Sequence, residues 1–215
     1  MKWILVVLCA YFLGAIPFGY IVGRCSGIDI RQYGSGNVGF TNVWRTLGIG
    51  RAAVVLAGDL GKGWLAACIG FQLMGEMGAL VGGLAAILGH TFSCFINFKG
   101  GKGVATSAGV LLYFSPLTFL VCLVVLTTLC LTTRYMSLGS ICAAWVAPLV
   151  LYVTHAPTPY TLGIGAAALY VIYLHIPNIH RLMKGTENKI GQKGKPKGTE
   201  AKESEPKAEE DDSHE

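Results

Sequence analysis

Three polar segments interrupt an otherwise apolar chain, and the first two carry residues suited to holding phosphate. The first, GSGNVGFTNVWR, runs from Gly34 to Arg45. Gly34 and Gly36 let neighbouring backbone N–H groups turn toward one point, an anion nest, and Ser35, Asn37, Thr41 and Asn42 surround it with neutral hydrogen-bonding groups. Arg45 adds a planar fork that meets a phosphate in two contacts. An ordinary Gly/Asn turn between helices has the same glycines; Thr-Asn and Arg close behind them favour a binding site. The second segment, FKGGKGVAT, sets Lys99 and Lys102 around Gly100 and Gly101, and Gly103 leads into a helix whose N-terminal N–H groups would face an anion. A nucleotide P-loop needs a longer glycine frame and Ser or Thr directly after Gly-Lys, where this chain has Gly103, so a nucleoside triphosphate is disfavoured. Lysines resting on lipid headgroups would explain the charge and leave the three glycines without a reason.

The third segment is HIPNIHRLMKGTE, His175 to Glu187. His175 and Asn178 lie three residues apart and share a helix face unless Pro177 deforms it, while Arg181 and Glu187 can anchor the chain there. A histidine at a helix end is often structural, and only the other two segments make this one a candidate for chemistry. Asp59 and Lys62, also three apart, fall inside an apolar run, where ionisable side chains pair and face the protein interior; they read as a structural pair. His90 reads as a residue that packs or that supports a site residue from behind, about 12 Å into the membrane if the helix continues from it to Lys99.

The elements that must position these residues follow from hydropathy. Of 215 residues, 53% are hydrophobic and 13% charged, with a mean hydropathy of +0.54. Those charges are too few to clothe a soluble globule, so the fold class is an all-α integral membrane protein. Apolar windows place spans at 2–23, 52–73, 79–98, 104–114, 116–133, 137–154 and 160–177, the fourth short. The run 104–133 reads as two helices broken at Ser115-Pro116, because proline lacks a donor and disfavours helix in the residue before it. Seven spans put all three polar segments on one side with Arg24, Arg31, Arg45, Arg51, Lys99, Lys102, Arg134, Arg181 and Lys184; the other side holds little beyond Lys2, Glu76 and His155. The positive-inside rule then makes the N-terminus external and the C-terminus cytoplasmic. The first span, with about 20 apolar residues and arginine after it, reads as retained and not as a cleaved signal.

Seven cysteines form no Cys-x-x-Cys pair and all but Cys25 lie in apolar runs, so they read as small hydrophobes, with no metal site. From about residue 192 the chain is rich in Lys, Glu, Gly and Pro and lacks aromatics. Such a segment buries too little apolar surface to offset its ordering entropy, so the expected organisation is a membrane-embedded domain over 1–191 and a disordered charged tail over 192–215.

With these features in place, GSGNVGFTNVWR, GHTFSCFINFKGGKGVAT and HIPNIHRLMKGTE together resemble the three motifs of the bacterial acyl-phosphate:glycerol-3-phosphate acyltransferases, over residues 1 to about 191. Phe40 stands where that family usually has Ala, Ser93 where Pro is common, and Leu174 where Arg commonly precedes the histidine. The resemblance implies transfer of a fatty acyl group from acyl phosphate to the 1-hydroxyl of glycerol 3-phosphate, the first acylation of phospholipid synthesis, in a multi-pass protein of the bacterial inner membrane. It implies catalytic roles for Ser35, Arg45, His175 and Asn178, binding of glycerol 3-phosphate by the second-motif glycines and Lys102, phosphate contacts from Arg134 and Ser137, and a structural role for Glu187. No cofactor and no nucleic acid are implied; acyl phosphate, glycerol 3-phosphate and membrane lipids are the partners. The proton acceptor stays open between His175 and a donor phosphate oxygen. A transporter of an organic phosphate, the rival reading, would show inverted repeats around a midplane site, whereas here the polar clusters gather at one face.

Overall fold

The computed structural model describes residues 1–194 and 196. All its regular elements are helices, and beyond an isolated bridge between Tyr33 and Pro196 no strand forms among the described residues. Helix α1 (Lys2–Ala15) and helix α2 (Phe18–Cys25) form one apolar stretch broken at Ile16-Pro17. The break frees carbonyls that lipid cannot satisfy, and buried side chains take them: Lys62 Nζ donates to the Ile16 carbonyl at 2.8 Å and Ser93 Oγ to that of Ala15 at 2.5 Å. The unusual Ser93 thus has a structural partner.

Helix α3 (Phe40–Leu47) is short, and α4 (Ile49–Thr91) is 43 residues long only by its ends. At Met74 and Gly75 the backbone leaves helical geometry, with φ of +62° at Gly75, and the chain doubles back. Gly70 and Gly78 face each other so closely across this hairpin that a Cβ on either would strike the other's carbonyl. Association of helices in lipid depends on such close approach by small residues. The expected interruption at Ser115-Pro116 is present: α5 (Val104–Phe114) ends one residue before Ser115, and α6 (Pro116–Thr133) starts at the proline, capped by Ser115 Oγ accepting from the Thr118 N–H at 3.2 Å. Helix α7 (Met136–Val153) and helix α8 (Thr158–Leu174) follow, and α9 (Ile176–Met183) turns away from α8 by 53°.

Lys2–Cys25, Ile49–Ile96, Pro116–Thr133 and Met136–Val153 are long and apolar enough to cross a membrane, and the bent α8–α9 pair passes the same test as a unit. On α6 and α7, Val124, Leu131, Leu149 and Tyr152 are more than 60% exposed, a surface suited to lipid and not to water. One core cluster, around Ile87, Val110, Leu151 and Ile164, joins α4, α5, α7 and α8; another, around Ile30, Val43, Val55 and Ile96, seats the first polar loop on α4.

The third expected span, 79–98, is shorter in the structure. The helix stops at Thr91, and residues 92–103 fold back through a short 3-10 turn at Cys94–Ile96. Gly100 N–H then donates to the Thr91 carbonyl at 2.9 Å and Gly101 N–H to that of His90 at 3.1 Å. His90 therefore lies level with the glycine loop and not two turns beyond it, which corrects its expected depth.

Candidate active site

One cavity of about 390 Å³ gathers residues from all three motifs. Its wall includes Ser35, Asn37, Thr41, Asn42 and Arg45 from the first, Lys102 and Gly103 from the second, and His175, Asn178, Arg181 and Glu187 from the third, with Ser137 on α7. Asn42 organises the first loop from below. Only 1% exposed, its Nδ2 donates among the carbonyls of Ile30, Tyr33 and Asn37 at 2.9–3.2 Å, while its Oδ1 accepts the Ser35 N–H at 3.0 Å. Asn37 Oδ1 accepts the Gly39 N–H at 3.1 Å just before α3. These bonds hold Ser35 on the cavity wall and set the direction of α3, which carries Arg45.

The second and third motifs are joined directly. Lys102 Nζ donates to Asn178 Oδ1, and Asn178 Nδ2 donates to Glu187 Oε1 at 2.7 Å. The same carboxylate accepts Ser137 Oγ at 2.8 Å and Arg181 Nε at 2.7 Å. Burial pushes the Glu187 carboxyl up, but the donors Asn178, Ser137 and Arg181, with the charge of Arg181, hold it below the usual range. Burial, reinforced by the charge of Arg181, brings the Lys102 ammonium down to about 8. Burial also lowers the Arg45 guanidinium, whose Nε is buried without a partner, so the site holds a cation short of counter-charge. His175 is 4% exposed, and its Nδ1 lies 2.7 Å from the Val171 carbonyl. That acceptor calls for a proton on Nδ1, so the neutral ring keeps its lone pair on Nε2.

Several expected site residues do not line the cavity. Gly34, Gly36, Gly100 and Gly101 shape the loops behind it, and Lys99 is exposed outside it. Arg134 turns instead to the chain after Glu187: its carbonyl accepts the Ile190 N–H at 2.8 Å and its Nη2 donates to the Ile190 carbonyl at 2.9 Å. This segment continues as a strap, with Arg45 Nη2 donating to the Asn188 carbonyl at 2.8 Å and Gly194 N–H to the Arg45 carbonyl at 3.1 Å. Gly194 and Pro196, assigned from composition to a disordered tail, are thus held at the first loop, through Arg45 and Tyr33; beyond 192–194 and 196 the rest of that tail lies outside the described residues.

Other residues reach the cavity unannounced. Asn188 and Ser140 line it, and so do Asp59 and His90, which read from sequence as a structural residue and as one that packs or supports a site residue. The Asp59–Lys62 pair is present at 2.7 Å and nearly fully buried, as expected, and Asp59 also faces His90 Nδ1 at 3.4 Å. A polar residue every turn of α7, Ser137 then Ser140, was the one available signal for Ser140. Away from the charges the cavity continues into an apolar groove between α5, α6, α7 and α8; Val104, Ala108, Phe119, Leu123, Leu126 and Ser140 line both. The groove spans Val104 to Leu111 on α5, Ser140 to Ala147 on α7 and Val171 to Ile164 on α8, about 10 Å along each helix.

Comparison with known proteins shows the family. The sequence profile of the glycerol-3-phosphate acyltransferase family matches residues 4–185. Glycerol-3-phosphate acyltransferase 2 of Moorella thermoacetica is 47% identical over 192 residues, covering 89% of this chain and 99% of its own length, and the glycerol-3-phosphate acyltransferase of Bacillus subtilis is 41% identical over 187 residues, covering 86% and 96%. Two crystal structures of PlsY, an integral membrane glycerol 3-phosphate acyltransferase, superimpose over 89% of this chain: the glycerol 3-phosphate form with a TM-score of 0.85 at 39% identity and the lysophosphatidic acid form with 0.83 at 38%, covering 96% and 97% of those chains. On sequence along its helical length and on backbone alike, this chain is an acyltransferase that belongs to the glycerol-3-phosphate acyltransferase family.

Proposed function

We propose that the protein transfers a fatty acyl group from acyl phosphate to the 1-hydroxyl of glycerol 3-phosphate, releasing inorganic phosphate and 1-acylglycerol 3-phosphate, at a cytoplasm-facing site in a seven-crossing bundle of the bacterial inner membrane. The observation that carries this reading is the continuity of the cavity. One end is cationic, with Arg45, Lys102 and Arg181, and the other is an apolar groove lined by Ala143, Ala144, Ala147, Ala167 and Ala168. Such a cavity suits a phosphate at one end, an alkyl chain at the other and an acyl carbon where they meet. Both PlsY forms, with glycerol 3-phosphate and with lysophosphatidic acid, support the acceptor and product assigned here.

Acyl phosphate is a mixed anhydride and needs no covalent enzyme intermediate. The acceptor hydroxyl oxygen attacks the acyl carbonyl carbon, the carbon–oxygen bond to phosphorus breaks, and phosphate departs with the bonding pair. Lys102 and the N-terminus of α5 at Gly103 hold the glycerol 3-phosphate phosphate; Arg45 and Arg181 offset charge on the departing one. The hydroxyl proton passes to Nε2 of His175 or to an oxygen of the departing phosphate. Ser35 hydrogen-bonds substrate oxygen; its Oγ accepts the Asn37 N–H at 3.4 Å and bonds no histidine among the described residues, so it does not act as the nucleophile. Neither His90 nor His175 has Asp or Glu at the fifth following position, which argues against the His-x4-Asp chemistry of acyltransferases that use acyl-CoA or acyl carrier protein.

The test is an assay of purified protein in detergent. Acyl phosphate with glycerol 3-phosphate should yield phosphate and lysophosphatidate in equal amounts. Robust turnover with acyl-CoA, in protein free of contaminating enzymes, would refute the assigned donor.

A further inference from the structure

The two middle glycines of FKGGKGVAT are shaped by a histidine. A Cβ on Gly100 would collide with the His90 carbonyl, and one on Gly101 with the His90 imidazole at Nε2. Neither glycine lines the cavity, whereas Lys102 and Gly103, the next two residues, do. The loop is therefore laid against the end of α4: its N–H groups hang from the carbonyls of His90 and Thr91, and its inner face rests on the His90 ring. That ring has a support of its own. His90 Nδ1 lies 3.4 Å from Asp59 Oδ1, Asp59 lies 2.7 Å from Lys62 Nζ, and Lys62 donates at 2.8 Å to the Ile16 carbonyl freed at the α1–α2 break. All three side chains are 6% exposed or less.

We propose that Asp59 and His90 are positioning residues for the acyl-transfer reaction, holding the Gly100-Gly101 backbone at the height that presents Lys102 and the Gly103 end of α5 to the phosphate of glycerol 3-phosphate. The inference rests on the reading that this phosphate sits on Lys102 and Gly103. It gives these glycines a reason other than direct approach of backbone to substrate: they are small because the His90 ring occupies the place of a side chain. A displaced loop leaves Ser35, His175 and Asn178 where they were, so the loss falls on acceptor binding and spares the chemical step.

The experiment is a double-mutant cycle read in KM for glycerol 3-phosphate and in kcat, at saturating acyl phosphate, on purified full-length protein. Gly101→Ala should raise KM about tenfold and His90→Ala about fivefold, with kcat within about twofold in each. In the double variant the methyl enters the space the ring vacated, so KM should fall short of the product of the two single effects by about fivefold or more. Asp59→Asn should raise KM about fivefold with kcat nearly unchanged. If Asp59→Asn alone fails to insert, Asp59→Asn with Lys62→Met removes the stranded buried cation and carries the same readout. Single effects that simply multiply, or an Asp59→Asn variant that loses kcat at unchanged KM, would overturn the proposal. Lys102→Ala separates this failure from that of the underlying reading: if it leaves KM unchanged, the phosphate is held elsewhere and both fall. If it raises KM while the cycle multiplies, only the positioning role falls.

Discussion

Lys102 is the residue on which pH should act. It is a cation in the binding form, and burial has brought it down to about 8, within reach of ordinary assay conditions. Below that pH the ammonium is intact; above it the proton leaves and the phosphate loses a charge-assisted partner. The ratio kcat/KM for glycerol 3-phosphate, which reports the free enzyme, should therefore fall as pH rises through about 8, and Lys102→Arg should flatten that fall by keeping the charge. A pH profile of both proteins checks it. Glu187 presents a different case, a carboxylate on the cavity wall that gathers Ser137, Asn178 and Arg181 around itself. Glu187→Ala strands three donors, one of them charged, and should cost about 3 kcal/mol or more, seen as a lower Tm in detergent. Activity should fall with it, because Asn178 loses the bond that orients it toward Lys102.

Among the elements, α7 and α8 decide what else the cavity admits. Their alanines Ala143, Ala144, Ala147, Ala167 and Ala168 leave a trough where leucines would fill the space. Ala144→Phe should close the trough while leaving the cationic end untouched. Turnover with palmitoyl phosphate should drop about tenfold or more, octanoyl phosphate should be affected much less, and KM for glycerol 3-phosphate should not change. Product analysis with the two donors decides this. The break between α5 and α6 was legible because Ser115-Pro116 combines a capping hydroxyl with a residue that cannot continue a helix. The end of α4 at Thr91 was not legible, since Phe92, Phe95, Ile96 and Phe98 are as apolar as the helix before them. There the backbone stops because Gly100 and Gly101, nine and eleven residues on, take the carbonyls of Thr91 and His90.

For the whole molecule, the three motifs must reach one compartment. In a cysteine-free background, cysteines placed at Ser35, Lys99 and Lys184, all exposed, should react with an impermeant thiol reagent from the cytoplasmic side, and one at Glu76, exposed at the α4 hairpin, from outside. Labelling of position 184 only from outside would remove the seven-crossing arrangement. Deleting residues 197–215, a segment dominated by Lys, Glu and Asp, should leave turnover within about twofold, as measured at equal protein level. A tenfold loss would assign that segment a part in substrate recruitment or at the site.

Sequence alone determined the membrane class, the break between α5 and α6 and the three motifs, because lipid demands long apolar helices, proline ends them and polar loops stand out between them. It also marked Ser35, Arg45, Lys102, His175 and Asn178, which the structure brings to the wall of one cavity. Only the tertiary structure decided that Gly100, Gly101 and Arg134 stand behind the cavity and that Asp59, His90 and Asn188 line it. It also put residues 188–194 across the first loop through Arg45 and Arg134, although from residue 192 the composition is that of a solvated tail. These placements rest on bonds between residues 9 to 149 positions apart, such as Gly100 with Thr91, His90 with Asp59 and Gly194 with Arg45, and no local propensity encodes such a partner.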